Sequence, residues 1–167
     1  MGHFLRKRVV LIVHAKTRIL VDADACPVKQ EIVIAAHRFA TPVIMVASYA
    51  HRLMPEEGVE IVQVDPSDQA VDLYIANHMR PGDIVITQDF GVAALALGRG
   101  ALAMSFRGQQ YTADNIDFLL ATRHARSRAR RGGLRTKGPR AMTDSDREIF
   151  LHQLTKVLRS RQENESV

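Results

Sequence analysis

Hydrophobic positions along the chain follow two alternating patterns. Short apolar runs rich in Val and Ile have the length of buried strands, and they cover residues 18–21, 42–47, 59–64, 84–87 and 101–105. Between them, apolar residues recur at helical spacing over residues 27–39, 67–79, 91–97, 112–128 and 143–159. Strands that alternate with helices are typical of βαβ units, so the sequence predicts an α/β fold with a central, mostly parallel five-stranded sheet flanked by helices. We expect a single domain over residues 18–160.

Aspartates follow two of the predicted strands directly. Asp22 and Asp24 end the first strand, and Asp89 follows the fourth. If the strand order is 3-2-1-4-5, these strands are neighbours at the point where the order reverses, which is where open α/β sheets bind ligands. Asp68 and Asp72 lie four residues apart, so they share a face near the start of the helix after the third strand. Grouped carboxylates repel one another unless a cation lies among them, and an oxygen-only ligand set suits Mg²⁺ or Mn²⁺.

Most of these aspartates also have a structural interpretation, and Asp22 could cap a helix, although its place directly after a buried strand favours function. Asp24 is as well placed to cap the helix that begins near residue 27 as to bind a metal ion. Asp89 is placed to cap the helix that follows it, and Asp68 occupies a position where an acid supports a helix start. Asp72 is predicted in the second turn of its helix, where capping no longer explains it. We therefore expect Asp22, Asp72 and Asp89 to be catalytic and metal-binding, with Asp24 and Asp68 as further metal ligands.

The distribution of charge separates one segment from the rest of the chain. The net charge is +5, and residues 123–140 contain eight Arg or Lys residues and no acid, which leaves −3 for the remainder. A segment this basic fits a polyanion, and we expect nucleic acid as the partner. Glycines and a proline within it predict a loop between two helices, and the alternative is a solvated or disordered arm. The predicted phosphate-binding residues are Arg130, Arg131, Arg135, Thr136, Lys137 and Arg140.

Composition limits the compartment, the membrane association and the mode of nucleic-acid binding that the chain can have. The single cysteine, Cys26, cannot form an intramolecular disulfide, which suits a reducing cytoplasm, and we expect a packed structural thiol. No apolar run approaches the ~20 residues that span a membrane. Aromatic residues make up only 5% of the chain, so a platform for stacking bases is not evident. The apolar stretch within residues 1–17 is too short for a signal peptide, so we expect an extension or an added first strand there, and a tail over residues 161–167.

Several segments resemble the YaiI/YqxD family of uncharacterised bacterial proteins. They are Val-Asp-Ala-Asp-Ala-Cys-Pro-Val at 21–28, Val-Ala-Ser at 46–48, Thr-Gln-Asp-Phe-Gly at 87–91, Tyr-Thr-Ala-Asp-Asn-Ile-Asp at 111–117 and Arg-Thr-Lys-Gly-Pro-Arg at 135–140. The resemblance covers roughly residues 18–159. That family is regarded as similar to PIN-like nuclease domains, including the NYN group. The resemblance therefore implies a three-layer PIN-like domain with an acidic metal site of three or four carboxylates.

The PIN-like pattern also implies roles for individual residues. Its aspartate after the first strand matches Asp22, and its aspartate in a Thr-x-Asp context after the fourth strand matches Asp89. An acid from a middle helix matches Asp72, or the aspartate four residues before it less well. The fourth acid of the pattern has no secure match, and Asp24 and Asp117 are the two candidates.

Together these features predict a divalent-metal-dependent nuclease in the cytoplasm that hydrolyses phosphodiesters with an activated water, with RNA favoured as the substrate. The alternative is a nucleic-acid-binding protein without catalysis that acts through the basic segment. Asp22 and Asp24 also resemble the first motif of haloacid-dehalogenase-type phosphatases, in which the first aspartate is the nucleophile. We favour that interpretation less, because no lysine lies between Lys29 and Lys137 and Asp89 has no acidic neighbour.

Overall fold

Strands and helices alternate along the chain as the hydrophobic pattern predicts. The structure, a computed structural model, describes residues 16–49, 53–67, 69–135 and 140–165. In chain order its elements are β1 (Ile19–Asp22), α1 (Lys29–Arg38), β2 (Val43–Ser48), β3 (Val59–Val64), α2 (Ala70–His78), β4 (Ile84–Ile86), α3 (Phe90–Gly98), β5 (Leu102–Met104), β6 (Gln110–Tyr111), α4 (Ala113–Arg131) and α5 (Asp144–Glu165). The predicted α/β class is confirmed.

The strands form one sheet in the order β3-β2-β1-β4-β5-β6. The first five are parallel, and β1 lies at the centre, with Ile19 opposite Val43 of β2 and Ile84 of β4. The predicted order of the five parallel strands is therefore confirmed. Because the order reverses between β1 and β4, the carboxyl ends of these two strands lie side by side, where an open α/β sheet binds its ligands.

The sheet has one strand more than predicted. β6 is two residues long and runs antiparallel to β5, with Ala103 opposite Tyr111. So short a segment carries no alternation of its own, and it pairs because the turn before it folds back tightly. Gly108 in that turn has a φ of +82°, and a Cβ there would lie 3.1 Å from Gln153 and 3.2 Å from the backbone of Phe150. Only glycine lets this turn pack against α5.

Apolar side chains of the sheet point alternately into two cores, which makes the fold three-layered. Ile19 and Val21 pack with α1 and α5, where Phe150 is fully buried. Leu20, between them, packs on the opposite face with α2, α3 and α4, where Ile75 is fully buried. This alternation is the two-residue period of a strand buried on both faces. Among the described helices, none is long and apolar enough to cross a membrane.

Three helix boundaries differ from the predicted ones by three residues or more. α2 begins at Ala70 rather than at residue 67, because a turn precedes it in which the Ala70 N–H donates to the Ser67 carbonyl at 3.2 Å. α4 starts at a capping box and continues to Gly132, since no glycine or proline interrupts it earlier. Residues 123–131 of the predicted basic loop are thus helical. α5 continues to Glu165 for the same reason, so residues 161–165 of the predicted tail are helical as well.

Candidate metal and nucleic-acid site

Four of the predicted site residues are brought together at the carboxyl ends of β1 and β4, and one of them is Asp24, two residues after Asp22. Asp22 is the last residue of β1, Asp89 follows β4 by three residues, and Asp72 comes from the start of α2. Burial is the largest cause that raises the pKa of Asp22 from 3.8 to about 6, and the charges of Asp72, Asp24 and Asp89 add to it. We call Asp22, Asp24, Asp72 and Asp89 the aspartate cluster.

Asp89 is held by the turn between β4 and α3. The Thr87 hydroxyl accepts a hydrogen bond from the Asp89 N–H at 3.0 Å, and the Thr87 carbonyl accepts one from the Tyr111 hydroxyl at 3.1 Å. Asp89 Oδ1 in turn accepts from the Val92 N–H at 2.9 Å, so Asp89 caps α3 and belongs to the cluster at the same time. The Thr-x-Asp pattern therefore has a local structural cause, because the threonine fixes the backbone that carries the carboxylate.

Asp24 does not cap α1, although it is well placed in sequence to do so. The cap residue of α1 is Val28, which makes no side-chain capping bond. Asp24 Oδ1 instead accepts from the Ser48 N–H at 2.7 Å, at the end of β2. Because Asp22 and Asp24 straddle the end of β1, this bond fixes the segment that carries both carboxylates against the neighbouring strand.

Asp72 lies in the first turn of α2, one turn earlier than predicted, because the helix begins later. Burial, the charge of Asp89 and a hydrogen bond between the two side chains raise the pKa of Asp72, whereas the charge of Arg123 lowers it. The cluster therefore carries more negative charge than its protein surroundings neutralise.

The donor chemistry of the cluster fits a hard divalent cation. Its ligand atoms are carboxylate oxygens, the ligands that Mg²⁺ and Mn²⁺ prefer. Burial raises the pKa of Asp22 most and repulsion from the other carboxylates adds to it, and a cation would relieve that repulsion. Within the described ranges, no three acidic, histidine or cysteine side chains surround a single point closely enough to hold an ion as they stand. The fit thus rests on donor type and charge rather than on a preformed cage.

Three arginines of α4 line an open cavity of about 450 Å³ together with Asp89. Arg123, Arg126 and Arg130 are spaced by three and four residues, so they share one helix face and extend ~10 Å along it at ~1.5 Å per residue. We call them the α4 arginine row. At Gly91, a Cβ would lie 3.1 Å from Asp89 Oδ1 and 3.8 Å from Arg123 Nη1. A small residue there leaves room for the first arginine of the row beside the cluster.

The predicted phosphate-binding residues lie at different places in the structure. Arg130 belongs to the α4 arginine row. Arg131 and Arg135 are exposed at and just beyond the end of α4, and Arg140 lines a second cavity beside Asp22. Three predicted site residues lie outside the described part of the chain: Asp68, Thr136 and Lys137. Asp117, a candidate for the fourth acid, is exposed on α4 and is not among the charges that shift the pKa of the cluster aspartates.

Several residues at the site were missed from the sequence. Arg123 and Arg126 were not predicted to bind phosphate because the basic segment 123–140 was interpreted as a loop, although helical spacing was already predicted as far as residue 128. Phe118 lines the same cavity with a side chain that is 72% exposed, and the low aromatic content gave no reason to expect a ring there. Arg107 follows β5 by three residues, and its position after the carboxyl end of a parallel strand was the available signal.

Over residues 20–160, the chain matches a family profile described as uncharacterised bacterial proteins of the YaiI/YqxD family. A UPF0178 protein of Bacillus velezensis is 46% identical over 152 residues, which cover 90% of each chain. A UPF0178 protein of Halalkalibacterium halodurans is 46% identical over 143 residues, which cover 86% of this chain and 91% of the relative. The crystal structure of a variant of Rae1 (YacP) from Bacillus subtilis is similar over 86% of this chain and 98% of that one, with 18% identity and a TM-score of 0.38.

Proposed function

The chain belongs to the uncharacterised YaiI/YqxD family, and we propose that it is a divalent-metal-dependent nuclease that hydrolyses phosphodiester bonds in single-stranded nucleic acid, with RNA favoured. The observation that carries this proposal is that Asp89 of the aspartate cluster and the α4 arginine row line the same cavity. An acidic group suited to a cation and a basic helix face suited to phosphates are the two parts that such a reaction needs.

The α4 arginine row supports binding of a phosphate backbone. All three guanidinium groups are exposed, and each offers a planar fork of donors that matches phosphate oxygens. The exposed ring of Phe118 lines the same cavity and offers a surface on which an unpaired base can stack, which is worth ~1–3 kcal/mol per base. A stacked base must be free of a complementary strand, which is why a single strand is the proposed substrate.

The aspartate cluster supports catalysis next to that backbone. Asp22, Asp72 and Asp89 would hold the cation, with Asp24 beside them. A divalent cation there would neutralise the carboxylates, activate a water and stabilise the charge that develops on the phosphate. Hydrogen bonds of the protein itself orient the Asp89 carboxylate, because the Thr87 hydroxyl accepts from the Asp89 N–H and the Val92 N–H donates to Asp89 Oδ1. The guanidinium of Arg123 lines the cavity, and its charge acts on Asp72, so it lies between the cluster and an incoming phosphate.

Cleavage assays with matched variants test the proposal. Labelled single-stranded RNA and DNA of the same sequence are incubated with purified protein and Mn²⁺, Mg²⁺ or EDTA. We expect metal-dependent cleavage that Asp22→Asn and Asp89→Asn abolish, since asparagine keeps the shape but removes the charge. Glu57→Gln is the control, because Glu57 is an exposed acid near the amino end of β3, at the opposite edge of the sheet. Absence of metal-dependent cleavage by pure, folded protein would rule out the nuclease.

Other outcomes of the same assays would favour the competing functions. Binding that weakens steeply with salt but is never followed by cleavage would favour a binding protein without catalysis. Phosphate release from small monoesters, with a phospho-aspartate trapped at Asp22, would favour the phosphatase.

Arg126→Gln is expected to weaken strand binding and to reduce the slope of log K against log salt by ~0.7, the change for one lost contact to a single strand.

A further inference from the structure

A second cavity, of about 410 Å³, opens beside the aspartate cluster and shares Gln88 with the first. It is lined among others by Asp22, Pro27, Gln88, Phe106, Arg107 and Arg140. Its volume lies within the ~300–1,000 Å³ range of sites for small ligands. Its walls thus combine an apolar part, a basic part and one carboxylate of the cluster.

The two arginines of this cavity are held by one carboxylate. Arg107 Nη1 donates to Asp146 Oδ2 at 3.0 Å, and Arg140 Nη2 donates to Asp146 Oδ1 at 3.0 Å. Arg107 also donates to the backbone carbonyl of Arg140. Asp146 is buried and is itself fixed at the start of α5, because its carboxylate accepts from the Thr143 N–H and its N–H donates to the Thr143 hydroxyl, at 3.0 and 3.1 Å. The Arg107–Asp146–Arg140 group is therefore ordered by bonds from the β5–β6 turn, α5 and the segment before α5.

This group has more positive charge and more donors than its internal bonds use. Two guanidiniums face one carboxylate, so the group carries a net charge of +1. A guanidinium has five N–H donors, of which the bonds above take two from Arg107 and one from Arg140. The side chains of Arg107 and Arg140 are 29% and 67% exposed, so both can reach a ligand in the cavity. A purely structural tie between the β5–β6 turn and α5 needs only one of these arginines.

We propose that this cavity binds one nucleotide of the strand, with its phosphate on Arg107 and Arg140 and its base against Pro27 and Phe106. The identity of the strand rests on the proposed function, whereas the anion site stands on the Arg107–Asp146–Arg140 group itself. Because Asp22 lines this cavity and Asp89 lines the first, a strand that occupies both crosses the aspartate cluster. Arg107 and Arg140 then hold the phosphate on one side of the cluster and the α4 arginine row holds those on the other.

Strand binding without cleavage tests this inference. A 3′-labelled single-stranded RNA of about twelve nucleotides, within the ~4–16 nucleotides that single-strand-binding folds cover, is titrated in EDTA at several salt concentrations. Arg107→Gln and Arg140→Gln are each expected to weaken binding about tenfold and to reduce the salt slope by ~0.7. Arg107→Lys should restore the slope but not the full affinity, because lysine keeps the charge and loses the fork. Arg99→Gln, which removes an exposed arginine just after α3, is the matched control and should behave as wild type.

The outcomes separate a ligand site from a structural tie. Unchanged affinity and slope in both glutamine variants, with circular dichroism showing an intact fold, would overturn the proposal. Arg140→Gln keeps the test open if Arg107→Gln does not fold, since Arg140 is the more exposed of the two. Strands with a 5′-phosphate and with a 5′-hydroxyl are compared: an effect confined to the first assigns the site to a terminal phosphate, and an effect on both assigns it to an internal phosphodiester. Because EDTA prevents metal-dependent cleavage, a failure of the nuclease proposal would leave this result unaffected.

Discussion

Replacement of Asp22 by asparagine is expected to stabilise the metal-free protein while it abolishes cleavage. Asp22 is half-buried at the end of β1, and burial is the largest cause that raises its pKa from 3.8 to about 6, followed by the charges of Asp72, Asp24 and Asp89. Asparagine has nearly the same shape and no charge. Its amide oxygen can still accept the hydrogen bond that the Asp22 carboxylate receives from the Asp24 backbone.

The magnitude follows from the change in pKa. A rise from 3.8 to about 6 is about two pKa units, and at ~1.36 kcal/mol per unit it corresponds to about 3 kcal/mol. Because the folded pKa is the higher one, the native state keeps a proton on Asp22 that the unfolded chain releases. The free energy of unfolding of the wild type therefore falls as the pH rises from 3.8 to about 6, and it stays low above that. Since an amide accepts a weaker hydrogen bond than a carboxylate, we expect a net gain of about 2–3 kcal/mol in the variant.

Urea unfolding of both proteins in EDTA measures this gain. Circular dichroism gives the free energy of unfolding at pH values from below 3.8 to about 8, and the difference between variant and wild type isolates Asp22, since other groups titrate in both. The difference should be near zero at the acid end and reach its full value above pH 6. Near pH 8 it corresponds to a rise in Tm of about 4–12 °C, at ~2–4 °C per kcal/mol for a chain of this size. Mn²⁺ should stabilise the wild type and have little effect on the variant.

Two results would refute the reasoning. If the difference does not change with pH, or if the variant is the less stable protein above pH 6, the Asp22 carboxylate is not destabilised by its surroundings. The electrostatic case for a cation among the aspartates would then be lost. If Mn²⁺ stabilises both proteins equally, the ion binds somewhere other than beside Asp22. Glu57→Gln should show neither the pH-dependent gain nor a loss of the Mn²⁺ effect.

Three further predictions concern the helix cap at Asp89, the ion pair between Arg18 and Asp83, and the reactivity of the Cys26 thiol. Asp89→Ala should unfold at lower urea than Asp89→Asn, by about 1 kcal/mol, because only asparagine keeps the cap on the Val92 N–H; equal stabilities would contradict this. Asp83→Ala should lower the free energy of unfolding in urea by about 3–5 kcal/mol, because it leaves Arg18 without the carboxylate that accepts from its Nε at 3.1 Å and its Nη2 at 2.7 Å. Cleavage per folded molecule should not change. Burial raises the pKa of Cys26 to about 12, so iodoacetamide near pH 8 should label it only after unfolding, as mass spectrometry would show; rapid labelling of the native protein would contradict this.

The parallel sheet could be predicted because its strands are marked locally. Ile19, Leu20 and Val21 are all buried, two on one face and one on the other, so the run is continuously apolar and needs no knowledge of its partners. Connectivity rules then supply the strand order. β6 could not be predicted in this way. It owes its place to a turn at Gly108 that fits only against α5, a contact between segments about forty residues apart.

The candidate site likewise contains residues that local sequence marks and residues that only distant contacts place. Asp22 and Asp89 could be predicted because each directly follows a strand, and the sheet alone places the two strand ends together. Two residues of the α4 arginine row, Arg123 and Arg126, were missed because a dense run of arginines favours a loop on charge alone, whereas the capping box at Thr112 starts a helix that continues through it. Arg107 gains its role from Asp146, 39 residues later in the chain, and no local pattern records that pairing.

Two buried aspartates of this fold differ in whether a positive group balances their charge, and this contrast supports the proposed cation at the aspartate cluster. Asp83 is 2% exposed, and it accepts hydrogen bonds from the Arg18 guanidinium and from the Arg80 N–H, so its charge is balanced where it is buried. Asp22 is also largely removed from water, but the charges that shift its pKa are those of other carboxylates. A protein under selection for stability alone would replace such a residue, since an amide of the same size removes a cost of about 3 kcal/mol. An unbalanced carboxylate group at a ligand-binding edge is therefore best explained by a positive ligand that completes it.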